Sequence, residues 1–292
     1  MDSELPLVAI LVLNWNGLND TLACLDSLKQ LEYPNSRVMV IDNGSTDGSP
    51  DEIQRRYPDM LVMRLAENVG FAAGLNPGIA LAVDSGADQV MILNNDTIVA
   101  STALGFLVST LKEHPSAGVS VPKITYYESP DLIWSAGAKW TRLPPRVKII
   151  GFRRNDGLRY SVPKDLDYAT GCAFLVSREA IESVGLLDEA YFMYQEDYDY
   201  FRRVREQGYT VRYEPRAVVR HKVSQGLGEN SPRKWYLWSK SLVRFYRRYA
   251  TVFELAVFAL WVLVRESLRG NFRALPRFFQ GLRDGLRSSE QN

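Results

Sequence analysis

The side chains able to do acid–base or metal chemistry gather in a few short clusters. Glu196-Asp197-Tyr198-Asp199 follows the aromatic run Tyr191-Phe192-Met193-Tyr194. Acids in the first turn of a helix are favoured by its dipole, which is a sufficient structural reason for the cluster. A carboxylate among aromatics also suits a general base, since partial desolvation raises its pKa. Asn94-Asn95-Asp96 sets a carboxylate beside two amides. Oxygen donors of this kind suit Mg or Mn shared with substrate phosphates; the competing role for Asp96 is a helix N-cap. His221 is one of two histidines, with His114. It is open to a metal or phosphate role, or to plain burial. Asp42-Asn43-Gly44-Ser45-Thr46-Asp47 offers acceptors for a base or a ribose hydroxyl, or else a tight turn with a helix cap. Trp15, between Asn14 and Asn16, could stack on a nucleobase or fill the core.

The elements that must position these residues follow from periodicity. Short apolar, β-branched runs at 7–13, 38–41, 61–65, 90–93 and 118–121 alternate with helical periods at 21–31, 49–57, 74–85 and 102–114. Strands alternating with helices predict an α/β fold, a mostly parallel sheet covered on both faces. Ligands of such sheets sit beyond the carboxyl ends of the strands, where three of the polar clusters fall. Residues 122–167, with Trp134, Trp140 and a Pro144-Pro145 break, read as short strands and loops. A helix is expected at 196–207 and strands at 210–213 and 217–220.

Read together, the clusters resemble glycosyltransferase family 2 and its GT-A fold, a Rossmann-like sheet with flanking helices. More narrowly they are similar to its bacterial rhamnosyltransferase-like branch. The matching residues are Val12-Leu13-Asn14-Trp15-Asn16-Gly17, Val40-Ile41-Asp42-Asn43-Gly44-Ser45-Thr46-Asp47 and Glu67-Asn68-Val69-Gly70-Phe71-Ala72-Ala73-Gly74-Leu75-Asn76. They continue with Leu93-Asn94-Asn95-Asp96, Thr170-Gly171-Cys172-Ala173, Tyr194-Gln195-Glu196-Asp197-Tyr198-Asp199 and His221, spanning roughly 7–225. The resemblance implies that Trp15 stacks on a pyrimidine, that Asp42 or Asn43 binds the base, and that Asn68 lies near the nucleotide-sugar. Asp96 takes the last position of an Asp-X-Asp metal motif, with Asn94 and Asn95 before it on the donor. Asp197 falls where an inverting base lies, and His221 where a histidine completes the metal site in some relatives. Two residues depart from the pattern. Asn94 stands where the motif has its first Asp, and Pro77 stands within an expected helix, where it removes a hydrogen bond outside the first turn.

The function implied is inverting transfer of a sugar, rhamnose as the first expectation, from a dTDP- or UDP-sugar to a hydroxyl of a cell-surface glycan precursor. A non-catalytic, membrane-bound glycan-assembly subunit with the same fold is the alternative. A nucleotidyltransferase is disfavoured because Asn14-Trp15-Asn16-Gly17 is not a Gly-rich, Arg-containing loop. Neither a P-loop nor a dinucleotide fingerprint follows a strand. With a net charge of +1 in 292 residues, no nucleic-acid partner is indicated. Cys24 and Cys172, far apart, read as reduced thiols, and the acidic start Met1-Asp2-Ser3-Glu4 is unlike a signal peptide.

The catalytic domain is expected over 1–228 and a helical, basic segment over 229–292. Within that segment 252–264 is apolar but short of the roughly 20 residues a spanning helix needs. Arg269, Arg273, Arg277, Arg283 and Arg287 recur among Phe and Leu over 265–287. An amphipathic segment on the membrane surface is expected, placing the protein on the cytoplasmic face of the cell membrane beside a glycan or lipid-linked acceptor. Packing on the enzyme's own core or on a second subunit is the competing expectation.

Overall fold

A computed structural model describes residues 5–223 and 231–288. Strand and helix alternate through the first third: β1 (Val8–Asn14), α1 (Leu18–Leu28), β2 (Ser36–Asp42), α2 (Ser49–Arg56), β3 (Leu61–Arg64), α3 (Phe71–Asp84) and β4 (Gln89–Asn94). The order β4-β1-β2-β3 is parallel throughout. On β1, Val8, Ile10 and Val12 enter one apolar cluster with Leu22 and Leu25 of α1. Ala9 and Leu11 enter the other with Leu75 and Ile79 of α3. A strand buried on both faces must be apolar at every position, hence the uninterrupted runs. Asn14 pairs in register with Asp42, and Leu13 with Asn94, so the strands end together and their polar residues form one rim.

β5 (Thr97–Val99), α4 (Ala103–Glu113), β6 (Ala117–Tyr126) and β7 (Leu132–Ser135) come next. They lead into a separate hairpin, β8 (Ala138–Arg142) with β9 (Pro145–Ile149), with Pro144 in its turn and Pro145 opening β9. β10 (Arg154–Asn155), β11 (Lys164–Leu166), β12 (Ala173–Ser177), α5 (Arg178–Val184), α6 (Glu196–Glu206) and β13 (Thr210–His221) complete this half. β12 enters antiparallel between β4 and β6, so the sheet is parallel on one side and mixed on the other.

The two strands expected at 210–213 and 217–220 are a single strand. β13 shifts register between Glu214 and Val218 and continues along β6. Pro215, which has no N–H, sits at the bulge, as a proline inside a strand must. The helix expected at 74–85 begins earlier, at Phe71, whose N–H donates to Phe192 O. Pro77 lies inside α3, beyond its first turn, so the carbonyl one turn back loses its donor. Next to it Gly78 abuts Ile41, where a Cβ would collide with that side chain, so the helix lies close on the sheet.

The chain ends in α7 (Pro232–Tyr249), α8 (Val252–Leu268) and α9 (Leu275–Ser288). The boundary expected at 228/229 lies outside the described residues. Leu242, Val243, Phe245 and Tyr246 of α7 belong to the same core cluster as α3 and the sheet. Phe258 of α8 and Phe278 of α9 close over α7 against Trp238. The inner faces of this segment therefore pack on the protein itself, as the competing expectation had it. α8 turns Val252, Leu260, Val264 and Leu268 outward along one stripe, all exposed. No helix among the described residues is long and apolar enough to cross a membrane.

Candidate active site

The rim of the parallel strands is organised by Asn14, a residue singled out above only as a neighbour of Trp15. It is wholly buried. Its Nδ2 donates to Asp42 Oδ1 (2.7 Å), Ser49 Oγ (2.8 Å) and Ser45 Oγ (3.1 Å), and its Oδ1 accepts from Thr21 Oγ1 (2.7 Å). A primary amide can donate twice and accept at once, and here it donates to the β2–α2 connection while accepting from α1. Asp42 Oδ2 also accepts from Ser45 N (3.0 Å), so this buried carboxylate is committed on both oxygens. Asn43, also buried, staples the loop ahead of α3. Its Nδ2 donates to Gly70 O (2.9 Å) and Asn68 Oδ1 (3.2 Å), and its Oδ1 accepts from Val69 N (3.1 Å). Asn95 Nδ2 donates to Thr21 Oγ1 (2.9 Å). Of the expected donor-binding set, Asp42, Asn43 and Asn95 thus carry structural hydrogen bonds. Trp15 is half-buried and makes no ring contact among the described residues. Asn94 is half-buried as well.

Asp96 and His221 come together from positions 125 apart, with His221 Nε2 3.0 Å from Asp96 Oδ1. β13 delivers the histidine by pairing His221 with Thr97. Trp134 meets the imidazole edge-on at 4.5 Å between centroids. Nδ1 of His221 is buried without a hydrogen-bond partner among the described residues. Burial opposes a charge on His221, yet Cys172 and the Asp96 carboxylate raise its pKa to about 10. Among the described residues no group of three or more His, Cys, Asp or Glu is arranged as a metal site. The pair fits a hard cation that draws its remaining ligands from a diphosphate. Both cysteines are free, and burial pushes the Cys24 thiol up to about 12.

Asp197 sits in the first turn of α6. Gly171 N donates to its Oδ2 (2.8 Å) and Tyr198 N to its Oδ1 (2.8 Å). Burial is nevertheless the larger influence and raises its pKa to about 6. Glu196 beside it is buried, with Oε2 unpartnered among the described residues. Burial, then the charge of Asp197, hold it well above the usual carboxylate range. The loop before α6 holds two successive non-glycine residues at positive φ, Tyr194 (71°) and Gln195 (73°). Such backbone persists only where its surroundings dictate it. Here Gly70, at φ 97°, packs against the Phe192 backbone, and Ser241 Oγ of α7 donates to Met193 O (2.9 Å). Asp199, the other acid of the cluster, is fully buried between Arg203 Nε (2.8 Å), Tyr249 Oη (2.8 Å) and Arg248 Nη1 (3.0 Å). It ties α6 to α7 and faces no cleft.

A cleft of about 1070 Å³ opens over Asp197. Its walls are the β8–β9 hairpin, the stretch 150–167, and the faces of α7 and α8 that carry Trp238, Phe245 and Phe258. Trp15, Asp42, Asn68 and Asp96 do not line it. The turn at Gly171-Cys172 links the cleft to the end of β4: Gly171 holds Asp197, and Cys172 O accepts from Asn94 N (2.9 Å). Asp197 and the Asp96–His221 pair are thus on opposite sides of one short turn. The sequence signal for this cleft is a run of charge. Residues 139–164 hold eight Lys or Arg against one Asp, in a chain whose net charge is +1.

The family model for glycosyl transferase family 2 matches residues 9–185. A curated relative from Mycobacterium tuberculosis, N-acetylglucosaminyl-diphospho-decaprenol L-rhamnosyltransferase, is 31% identical over 79% of this chain and 80% of its own length. Poly-beta-1,6-N-acetyl-D-glucosamine synthase of Staphylococcus epidermidis is 25% identical over 73% of this chain and 51% of its own. Among solved structures, GalNAc-T7 with UDP, GalNAc and Mn2+ superposes with a TM-score of 0.63 at 15% identity, covering 82% of this chain and 48% of that one. The mannosyltransferase PcManGT from Pyrobaculum calidifontis, with GDP-Man and Mn2+, gives 0.59 at 19% identity, covering 97% and 76%.

Proposed function

The chain belongs to glycosyl transferase family 2, in its rhamnosyltransferase-like branch, and from that premise we propose an inverting sugar transfer with Asp197 as general base. The donor is a nucleoside-diphosphate sugar, dTDP-rhamnose first and UDP-sugars next. The acceptor is a hydroxyl of a lipid-linked glycan precursor, the class named for the mycobacterial relative.

The observation that carries this reading is Asp197, which lines a cleft of about 1070 Å³, is held by two backbone N–H groups and is poised near neutrality by burial. Each carboxylate oxygen keeps a lone pair. As the acceptor oxygen bonds to the anomeric carbon, its proton passes to Asp197. The bond from that carbon to the phosphate oxygen breaks with its electron pair, and the nucleoside diphosphate leaves. Attack opposite the leaving group inverts the centre. Holding both substrates in line supplies much of the rate. Trp15 would stack on the base, Asp42 or Asn43 would bind it, Asn68 would lie near the nucleotide-sugar, and Asn94 and Asn95 would border the diphosphate. Asp96 and His221 would hold Mg or Mn, whose chemistry is to offset charge on the leaving diphosphate.

The catalytic domain is assigned to 1–228 and the helical segment to 229–292. The outward stripe of α8 would rest on the cytoplasmic membrane surface, next to the acceptor lipid.

The test is titration with dTDP, UDP, GDP and CMP, with and without Mn²⁺, on the native protein and Asp96→Asn, followed by a transfer assay on Asp197→Asn. Metal-dependent pyrimidine binding that weakens in Asp96→Asn, with transfer lost but donor binding kept in Asp197→Asn, is expected. No nucleotide binding under any condition would leave the non-catalytic subunit as the reading to pursue.

A further inference from the structure

The cleft over Asp197 has a charge pattern that general-base catalysis does not require. Lys139 of β8 and Lys148 of β9 stand directly opposite across the hairpin, and both line the cleft. Like charges in facing positions of an antiparallel pair weaken it. Lys164 enters the same cleft, its ammonium pKa lowered by burial and then by Lys139. Arg146 lies half-buried over the Trp261 ring at 4.3 Å, with its Nε unpartnered among the described residues. None of the four makes an ion pair among the described residues. The nearby acids are engaged elsewhere: Asp165 with Arg212 (3.0 Å), Asp167 with Arg205 (3.5 Å) and Asp156 with Lys123 (2.7 Å). Four cations, three of them on the β8–β9 hairpin, converge on a cleft where no ion pair among the described residues offsets them, although the Asp197 carboxylate lines the same cleft. An anionic ligand would remove that conflict.

Location says which anion. The cleft is the one that holds Asp197, so its occupant is the molecule whose hydroxyl is deprotonated. Part of its remaining wall is apolar, including Trp140, Val147 and Phe258. A ligand that is a hydroxyl at one end, a compact polyanion in the middle and a hydrocarbon beyond fits all three surfaces. We propose that Lys139, Lys148, Lys164 and Arg146 form a subsite for the diphosphate of a lipid-diphosphate-linked acceptor, so that the enzyme selects its acceptor by the phosphates as well as the sugar. This rests on the transferase reading above. Ammonium groups suit such a subsite as point charges that tolerate a sliding, flexible diphosphate, and Arg146 adds a planar fork.

The experiment uses the full chain and farnesyl diphosphate as probe, followed by tryptophan fluorescence in the presence of saturating dTDP. Farnesol and inorganic pyrophosphate are run alongside. Lys139→Gln/Lys148→Gln and, separately, Lys164→Gln are compared with the native chain. Farnesyl diphosphate is expected to bind more tightly than either control. Each variant should lose roughly tenfold or more of that affinity while its dTDP binding and thermal midpoint stay unchanged. Unchanged farnesyl diphosphate affinity in both variants overturns the subsite. So does an equal loss of binding to phosphatidylglycerol vesicles containing no diphosphate, which would reassign the lysines to lipid headgroups. Failure of dTDP and UDP to bind the native chain would instead count against the transferase reading, a result the lysine comparison leaves separate.

Discussion

At the scale of single residues, adjacent acids in one helical turn have different jobs. Asp197 is open to the cleft, and Asp199, two positions on, is sealed between α6 and α7. Asp197→Asn is expected to lower kcat by about 10²- to 10⁴-fold with little change in the melting temperature, since it removes proton transfer and leaves the shape. Asp199→Ala should do the opposite. Breaking a buried ion pair destabilises by about 3–5 kcal/mol, which urea denaturation would register, with Arg203 losing its carboxylate and keeping the carbonyls of Val184 and Leu186. The pH dependence follows from Asp197 as well. Its proton must be off for it to act, and burial raises its pKa to about 6. The rate should rise through pH 6 and level off above it, with kcat at pH 5 roughly tenfold below the plateau. A flat profile across that interval would remove Asp197 from the base role. Asn14 gives a fourth case: Asn14→Leu leaves Asp42, Ser49 and Thr21 short of partners in a buried place. About 1–3 kcal/mol for each stranded group predicts a protein hard to purify folded.

At the scale of elements, α7 holds the loop before α6 in place. Ser241 binds the carbonyl of Met193, and Arg248 and Tyr249 reach Asp199. The strained pair Tyr194-Gln195 is held from that side and from Gly70. Cutting the chain near residue 230, an obvious way to ask whether the tail anchors the protein, would therefore strip Leu242, Val243, Phe245 and Tyr246 from the main core. Surface substitution separates the questions. Leu260→Glu with Leu268→Glu changes only exposed positions of α8. It should weaken co-sedimentation with anionic vesicles by tenfold or more, given roughly 1.5–3 kcal/mol for each fully buried leucine, and leave the melting temperature within a degree or two. Undiminished vesicle binding would show that α8 is not the contact.

At the scale of the whole molecule, the sequence by itself determined the parallel half. Period-two and continuous apolar runs dictate strands, and polar clusters at their ends dictate a rim, because both rules act over a few residues. The acid cluster was legible for the same reason, and the resemblance singled out Asp197 within it, but that Asp199 is sealed between α6 and α7 was not legible. Residues 122–167 gave only short strands and loops, and their concentration of charge was diluted in a chain near neutrality. Only the tertiary structure decided the rest. It joined Asp96 to His221 across 125 positions by running β13 back along β5 and β6. It showed that Asp42 and Asn43, expected at the base, also carry hydrogen bonds to Asn14 and Gly70. It also folded a basic, apolar tail onto the core while leaving one stripe exposed. Local patterns fix which face of an element is apolar. Which surface that face meets depends on long-range packing, and no short window of sequence contains it.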